Sequence, residues 1–413
     1  MSPTSLPSPI RPAEAPSAPV AGPRTLRLPL DPLLTLAVLG LGIASIVTLG
    51  TATRELIPSD PNYYVKRQTI YLLIGGLFML VLSRIDYARL RQLKNGLYGL
   101  LLFSILAVLA AGHATNGAQR AISLPFFSFQ GSELGKVLLI LSLAAFMVER
   151  SRRLRERDTT ARVLIAALVP AMLVIAQPDL GSGLVYMAIA FVLLFVAGTP
   201  WRQLGALVAL VCVSATIVLV AAPALGVHVL KPYQAERLTA FLHPSSNFQE
   251  IKEKEAETSE PDPAYQLAES KIAIGSGQKT GQGSNSTQLT GSYLPEADTD
   301  FVFASASEQY GFVGAGLVLC LYALLIWRTL RILTMSKDLF GSLIAAGVVA
   351  MLMFQVFVNV GMTIGIMPIT GVTLPLMSYG GSSVITTLLA VGLLQSIYVR
   401  ARATAALKGR VPI

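Results

Sequence analysis

The chain has 413 residues, of which 53% are hydrophobic and 13% charged. That length would suit a soluble protein of two or three domains, but the apolar residues run in stretches close to the ~20 residues of a membrane span, which excludes that class. The net charge of +9 sits in the links between those stretches, where it acts as a topology signal and a partner for anionic membrane lipid; no nucleic acid is needed to explain it.

Residues 1–30 are rich in Pro, Ser and Ala and hold no short apolar core followed by a cleavage site, so a disordered cytoplasmic tail is expected here. Ten apolar runs follow, near 31–51, 68–84, 94–112, 132–148, 162–177, 180–198, 203–226, 308–328, 340–363 and 382–400. Several are short or carry Gly and Pro, as helices packed inside a bundle do. Only Pro178 and Asp179 part the fifth run from the sixth, which demands a tight hairpin.

Lys and Arg collect in alternate links. Arg24 and Arg27 precede the first run, and Arg84, Arg89, Arg91 and Lys94 follow the second. Arg150, Arg152, Arg153, Arg155, Arg157 and Arg162 follow the fourth, Arg328, Arg331 and Lys337 the eighth, and Arg400, Arg402, Lys408 and Arg410 the tenth. The pattern predicts an all-α integral membrane protein of ten transmembrane helices with both termini cytoplasmic. Its membrane domain covers 31–400 and its basic tail 401–413. The outer face receives 52–67, 113–131, 178–180, 227–307 and 364–381, so the one long extracellular loop, 227–307, joins helices seven and eight.

The chemistry-bearing residues fall on that outer face. In NGAQRAISLPFFSFQGSELGK, Asn116 to Lys136, Glu133 and Lys136 are three apart on one helical face at the start of an apolar run. Arg120 lies upstream, before a segment with Pro125 and aromatics that is too short to cross and reads as a re-entrant or interfacial loop. The Glu–Lys pair serves either as structural glue or, through Arg120 and Lys136, as a holder of an anionic head group such as a diphosphate. QPDLGSG, Gln177 to Gly183, places Asp179 where it would cap the next helix.

In the long loop, KPYQAERLTAFLHP (231–244) is amphipathic, with Arg237 beside Tyr233 and Phe241, and reads as an interfacial helix. Residues 247–264 are acidic, contain Pro and read as a flexible insertion. The Gly, Ser, Asn and Gln residues beyond it suit polar sugars or a phosphate, and equally any solvated loop. LPEADTDFVF, Leu294 to Phe303, groups Glu296, Asp298 and Asp300 in the loop, with Glu308 at the start of the next run. Acids grouped where a span begins suggest chemistry at a membrane surface, against the plainer reading of a hydrated loop end. Asn359 to Ser383, NVGMTIGIMPITGVTLPLMSYGGSS, breaks a helix near the outer boundary, as backbone lining a cavity does. Cys212 and Cys320 fall inside runs and read as packing residues, and no Cys/His cluster suits zinc. Gly275, Gly277, Gly281 and Gly283 lack the Lys-Ser/Thr pair of a phosphate-binding P-loop.

Taken in order, these segments resemble the SEDS family (shape, elongation, division and sporulation) of polytopic bacterial peptidoglycan glycosyltransferases, over residues 31 to 400. Asn116, Gly117, Ala118, Arg120 and Ile122 match the family's NGA-R-W-I, with Ala121 in place of Trp. Gln130, Ser132, Glu133 and Lys136 match QPSE-x-x-K, with Gly131 in place of Pro. QPDLGSG matches QPDLGT, Thr299-Asp300-Phe301 matches the TDF of H-TDF-I-F with Asp298 in place of His, and LPLMSYGGSS matches the closing SYGGSS. NVGMTIGIMPITG is closer to RodA, the elongation member, than to FtsW, the division member. The insert at 247–264 departs from the family's compact loop.

The resemblance implies polymerisation of lipid II, the undecaprenyl-diphosphate-linked disaccharide-pentapeptide, by an inverting transfer at the outer face of the cytoplasmic membrane. Asp300 is then the general base by motif match; composition alone leaves Asp298 open. The substrate would meet Arg120, Glu133, Lys136, Asp179, Lys231, Arg237, Gln288, Glu296, Ser378 and Ser382. No dedicated metal site is expected, although a divalent cation such as Mg or Mn could bridge a diphosphate and a carboxylate. The implied partner is a class B penicillin-binding protein, a transpeptidase, with other elongation-complex membrane proteins. Two rivals remain: a lipid-linked precursor flippase or transporter, which would need a charged path at the bilayer centre, and a scaffold, which would tolerate changes at Asp300.

Overall fold

The computed structural model describes residues 30–54, 59–115, 118–124, 127–217, 237, 241, 263–283, 286, 294 and 296–407. Eleven helices carry the fold over these residues: α1 (Pro32–Ala52), α2 (Tyr63–Arg84), α3 (Lys94–Ala111), α4 (Gly131–Glu149), α5 (Arg157–Ala176), α6 (Leu180–Val196), α7 (Trp201–Thr216), α8 (Pro263–Ser276), α9 (Val302–Met335), α10 (Leu339–Thr363) and α11 (Gly381–Leu407). All ten predicted apolar runs are helical where described. Eight helices are long and apolar enough to cross a bilayer by length and composition, α3 being counted together with the short helical turns from Tyr87 that lead into it. Over the described residues the apolar helices α6 and α7 are shorter.

Short polar side chains start several of these helices. Asp31 accepts from the Leu34 amide at 2.9 Å ahead of Pro32, and Asp338 accepts from the Gly341 amide at 2.9 Å. Each satisfies an amide that has no partner within its own helix, and Pro suits the first helical position because its missing N–H would be unused there. Helices α4, α10 and α11 form the most enclosed part of the bundle. Around them α2 lies along α11, α3 along α4, α1 along α9, and α6 along both α5 and α10. The outward faces carry large apolar side chains, among them Leu73, Phe103, Leu210 and Phe312, as a lipid-facing belt requires. Cys212 and Cys320 are free thiols on such exposed faces, not packed between helices as the sequence suggested.

Three departures from the expected architecture bear on the site. The segment before α4 is a small antiparallel sheet in the order β1 (His113–Thr115), β2 (Ala118–Leu124), β3 (Phe127–Phe129). Ile122 pairs with Phe129 and Leu124 with Phe127, so strand pairing satisfies backbone groups that an interfacial loop would leave open. The long loop contains α8, which packs on α9, and α9 itself begins at Val302, before the predicted span. Finally, α11 runs to Leu407, well into the predicted tail.

Helix α9 is broken at Gly311, whose φ of +63° belongs to the left-handed region open to glycine. The freed amides of Phe312 and Val313 donate to the carbonyls of Gln278 and Lys279 at 2.8 and 3.2 Å. A Cβ at Gly311 would lie 2.4 Å from the Gly281 nitrogen, so the turn after α8 docks directly into the break. At the other end of the bundle Asp31, fully buried, accepts from Arg328 of α9, and its amide donates to Gln395 of α11 at 2.7 Å.

Candidate active site

The acidic segment Glu296 to Asp300 forms a tight turn directly ahead of α9. Glu296 adopts φ +55°, and its carbonyl accepts from the amides of Thr299 and Phe301 at 3.2 and 3.1 Å. Its exposed carboxylate takes the Thr299 hydroxyl at 2.7 Å. Phe301 is fully buried and packs with Leu267, Leu294, Ala304, Met362 and Ile369, which anchors the turn on α8, α9 and α10. Burying that ring stabilises the anchor by roughly 2 kcal/mol.

The connection from α10 to α11 closes over this turn. The Tyr379 amide donates to the Asp298 carbonyl at 2.8 Å, the Ser378 hydroxyl to the Thr299 carbonyl at 2.5 Å, and Asn359 Nδ2 to the Asp300 carbonyl at 2.8 Å. Ser378 also accepts from the Leu374 amide at 2.8 Å and is almost fully buried, so its hydroxyl is committed to the chain. Burial pushes the Asp298 carboxyl up to about 6, a hydrogen bond from its own backbone opposes that rise, and the neighbouring charge of Glu296 adds to it.

A second cluster lies at the starts of α4 and α6. Lys136 donates to Glu133 at 2.6 Å, with side chains 1% and 4% exposed. Asp179 accepts the Ser182 amide at 3.0 Å, the expected helix cap, and also the Ser132 hydroxyl at 2.9 Å and Gln130 Nε2 at 3.4 Å. Tyr186 donates to the Ser132 carbonyl at 3.0 Å. Its hydroxyl occupies the space beside Gly135, where a Cβ would fall 1.9 Å away. One carboxylate thus joins two helix starts, and its negative charge suits both N-terminal dipoles.

Between α2, β3 and α11 lies an apolar groove of about 320 Å³, lined by Ile70, Tyr71, Ile74, Phe78, Phe127, Phe129, Leu134, Ser382, Ile385, Thr386 and Leu389. The Ser382 hydroxyl donates to the Ser128 carbonyl at 2.6 Å and accepts from the Gln130 amide at 2.9 Å, tying the sheet to the start of α11. Tyr379 connects this groove with the acidic turn. Its amide holds Asp298, while its ring lies 4.8 Å from Tyr64 and 6.2 Å from Tyr71 of α2.

Arg67 sits toward the N-terminal end of the same α2 face. Its guanidinium is 4.5 Å from the Tyr63 ring centroid and hydrogen-bonds Tyr379. Arg67 belongs to none of the matched motifs. Its spacing offered the signal, since Arg67, Ile70, Tyr71, Ile74 and Phe78 recur at one-face helical intervals. Asn359 was likewise read only as part of a broken helix.

The predicted residues therefore divide by place. Glu296, Asp300, Ser378 and Ser382 lie in or against the turn and the groove, and Glu133, Lys136 and Asp179 lie at the starts of α4 and α6. Arg120 is placed on β2. Arg237 is helical and half-buried, while Lys231 and Gln288 lie outside the described residues, as do 247–262 of the acidic insert. Among the described residues, no group of three or more His, Cys, Asp or Glu side chains gathers to hold a metal ion.

Residues 30–403 match the family model of FtsW, RodA and SpoVE, described as cell cycle proteins. The chain is 36% identical over 377 residues to a probable peptidoglycan glycosyltransferase FtsW of Thioalkalivibrio sulfidiphilus, covering 89% of this chain and 88% of that protein. It is 35% identical over 373 residues to the peptidoglycan glycosyltransferase MrdB of Escherichia coli, covering 89% and 93%. Among solved structures, a peptidoglycan synthase complex coordinating polymerization and crosslinking matches with TM-score 0.73 at 32% identity, over 91% of this chain and 99% of that one. The rod shape determining protein RodA of Thermus thermophilus matches with TM-score 0.63 at 30% identity, over 91% and 98%.

Proposed function

The chain belongs to the FtsW/RodA/SpoVE family, and on that footing we propose that it polymerises lipid II at the outer face of the bacterial cytoplasmic membrane, with Asp300 as general base. The observation that carries this reading is the acidic turn held by the Ser378–Tyr379 segment beside an apolar groove. A groove of that lining suits part of an isoprenyl chain, and Arg67 at its outer end suits the diphosphate joined to it.

In the reaction the carboxylate of Asp300 takes the proton from the 4-hydroxyl of the acceptor sugar. The freed oxygen forms its bond to the anomeric carbon of the donor, and the bond from that carbon to the phosphate oxygen breaks with inversion. The electron pair leaves on undecaprenyl diphosphate. Arg67, Arg120 and Lys136 offset the developing charge, with Lys136 held in place by its ion pair with Glu133. Asp179 holds the starts of α4 and α6 in register with the groove.

We read ten spans with both termini cytoplasmic and this face outward, supported by the distribution of Lys and Arg. The chain is about equally similar to an FtsW and to MrdB. We assign it to cell elongation on the RodA-like segment NVGMTIGIMPITG, with a class B penicillin-binding protein as its transpeptidase partner.

The test is polymerisation of purified lipid II in liposomes, alone and with the cognate transpeptidase, by wild type and Asp300→Ala. Glycan ladders from wild type that vanish in folded Asp300→Ala are expected. Ladders of equal yield from both would overturn the assignment of the base. Lipid II crossing the bilayer with no polymer from either protein would replace polymerisation with transport.

A further inference from the structure

We infer that Asn359 is a positioning residue, which sets the direction of the Asp300 carboxylate by holding the backbone of the turn; this rests on the reading of Asp300 as the base. Asn359 is fully buried on α10, one turn before that helix ends. Its amide nitrogen uses both hydrogens, one on the Asp300 carbonyl and one on the Val372 carbonyl, each at 2.8 Å. A single side chain thus joins the acidic turn to the segment that closes over it.

Three donors in a row complete the arrangement. The Tyr379 amide, the Ser378 hydroxyl and Asn359 take the successive carbonyls of Asp298, Thr299 and Asp300. All three donors come from α10 and the connection that follows it. Fixing three consecutive carbonyls fixes the peptide planes between them, and with those planes the direction of each Cα–Cβ bond. Asn359 Oδ1 is buried with no partner among the described residues, so the amide is oriented by its two donated bonds. A base must lie within hydrogen-bond reach of the hydroxyl it deprotonates, and a displacement of about 1 Å can lower the rate ~100-fold.

The experiment measures lipid II polymerisation by the full chain in liposomes, with thermal melting as a control for folding. Asn359→Ala removes the donor to the Asp300 and Val372 carbonyls, and Ser378→Ala removes the hydroxyl that donates to Thr299 and accepts from the Leu374 amide. Gln355→Leu alters a buried polar side chain one turn earlier on α10. We expect kcat to fall about 10–100-fold in Asn359→Ala with KM for lipid II changed less than about twofold. Ser378→Ala should show the same split more weakly, and Gln355→Leu should keep wild-type kcat.

Folded Asn359→Ala with wild-type kcat, or with a raised KM as its only defect, would overturn the inference. Should Asn359→Ala fail to fold, Ser378→Ala decides: a kcat loss at constant KM supports the clamp, and wild-type kinetics end it. Asp300→Ala is assayed alongside. If that variant still polymerises, the assignment of the base has failed; if it is inactive while Asn359→Ala works normally, only the positioning role has failed.

Discussion

Lys136 and Glu133 form an ion pair of 2.6 Å sealed inside the bundle, one turn into α4. Breaking a buried pair by removing one partner strands the other charge and costs about 3–5 kcal/mol, whereas replacing both is far milder. Glu133→Gln and Lys136→Met are each expected to lower the melting temperature sharply, and the double variant to recover much of the loss. Polymerisation of lipid II by that recovered double variant separates the two roles. If Lys136 also acts on the diphosphate, the double variant stays inactive although folded; normal activity would leave the pair as structural glue.

Arg67 lies toward the N-terminal end of α2, over the Tyr63 ring and bonded to Tyr379. Charge-assisted hydrogen bonds to phosphate contribute about 1.5–3 kcal/mol each. Arg67→Gln should therefore weaken lipid II binding roughly tenfold or more, with Arg67→Lys recovering part because a point charge replaces the planar fork. Equilibrium binding of labelled lipid II to detergent-solubilised variants reads this directly. Unchanged affinity in Arg67→Gln would remove the residue from the site.

Asp298 titrates near 6 in the folded chain against an ordinary value of 3.8. Between those values the folded state binds more protons than the unfolded state. Stability from this group therefore falls as pH rises through that window, and the penalty is complete above it. Asp298→Asn should melt higher than wild type at pH 7.5, hold a smaller advantage at pH 5 and none below about pH 4. Melting curves that run parallel with pH for the two proteins would contradict the buried placement of the carboxyl.

Gly135 leaves room for the Tyr186 hydroxyl, which would sit 1.9 Å from any Cβ added there. Gly135→Ala is expected to destabilise by about 1–3 kcal/mol through overpacking. Tyr186→Phe removes the hydroxyl, so Gly135→Ala combined with Tyr186→Phe should melt above Gly135→Ala alone. Additive losses in the double variant would show that Tyr186 moves aside without cost.

Much of the bundle was legible because lipid imposes a simple rule on sequence: a crossing segment must be apolar and must satisfy its own backbone. The ten runs and the Asp179 cap came from that rule and from helix-capping chemistry. The small sheet did not, because Ala118 to Leu124 is too short and mixed to declare a strand until Phe127 to Phe129 lies beside it. The break at Gly311 was equally hidden, since a glycine in an apolar run signals no break until another segment docks against it.

The site divides in the same way. Motif resemblance selected Asp300, and local spacing selected the Glu133–Lys136 pair, whose members are three residues apart on one helix. The helical spacing of Arg67 is present in the sequence, but its place beside Tyr379, like that of Asn359 beside Asp300, emerges only in three dimensions, because those partners are brought to them by the return of α9, α10 and the closing segment. The sequence by itself determined which segments enter the membrane, because hydrophobicity is a property of each segment alone. Tertiary structure decided which carbonyls, rings and charges meet at the site, because hydrogen bonds and packing act over a few ångströms between residues that the chain order separates.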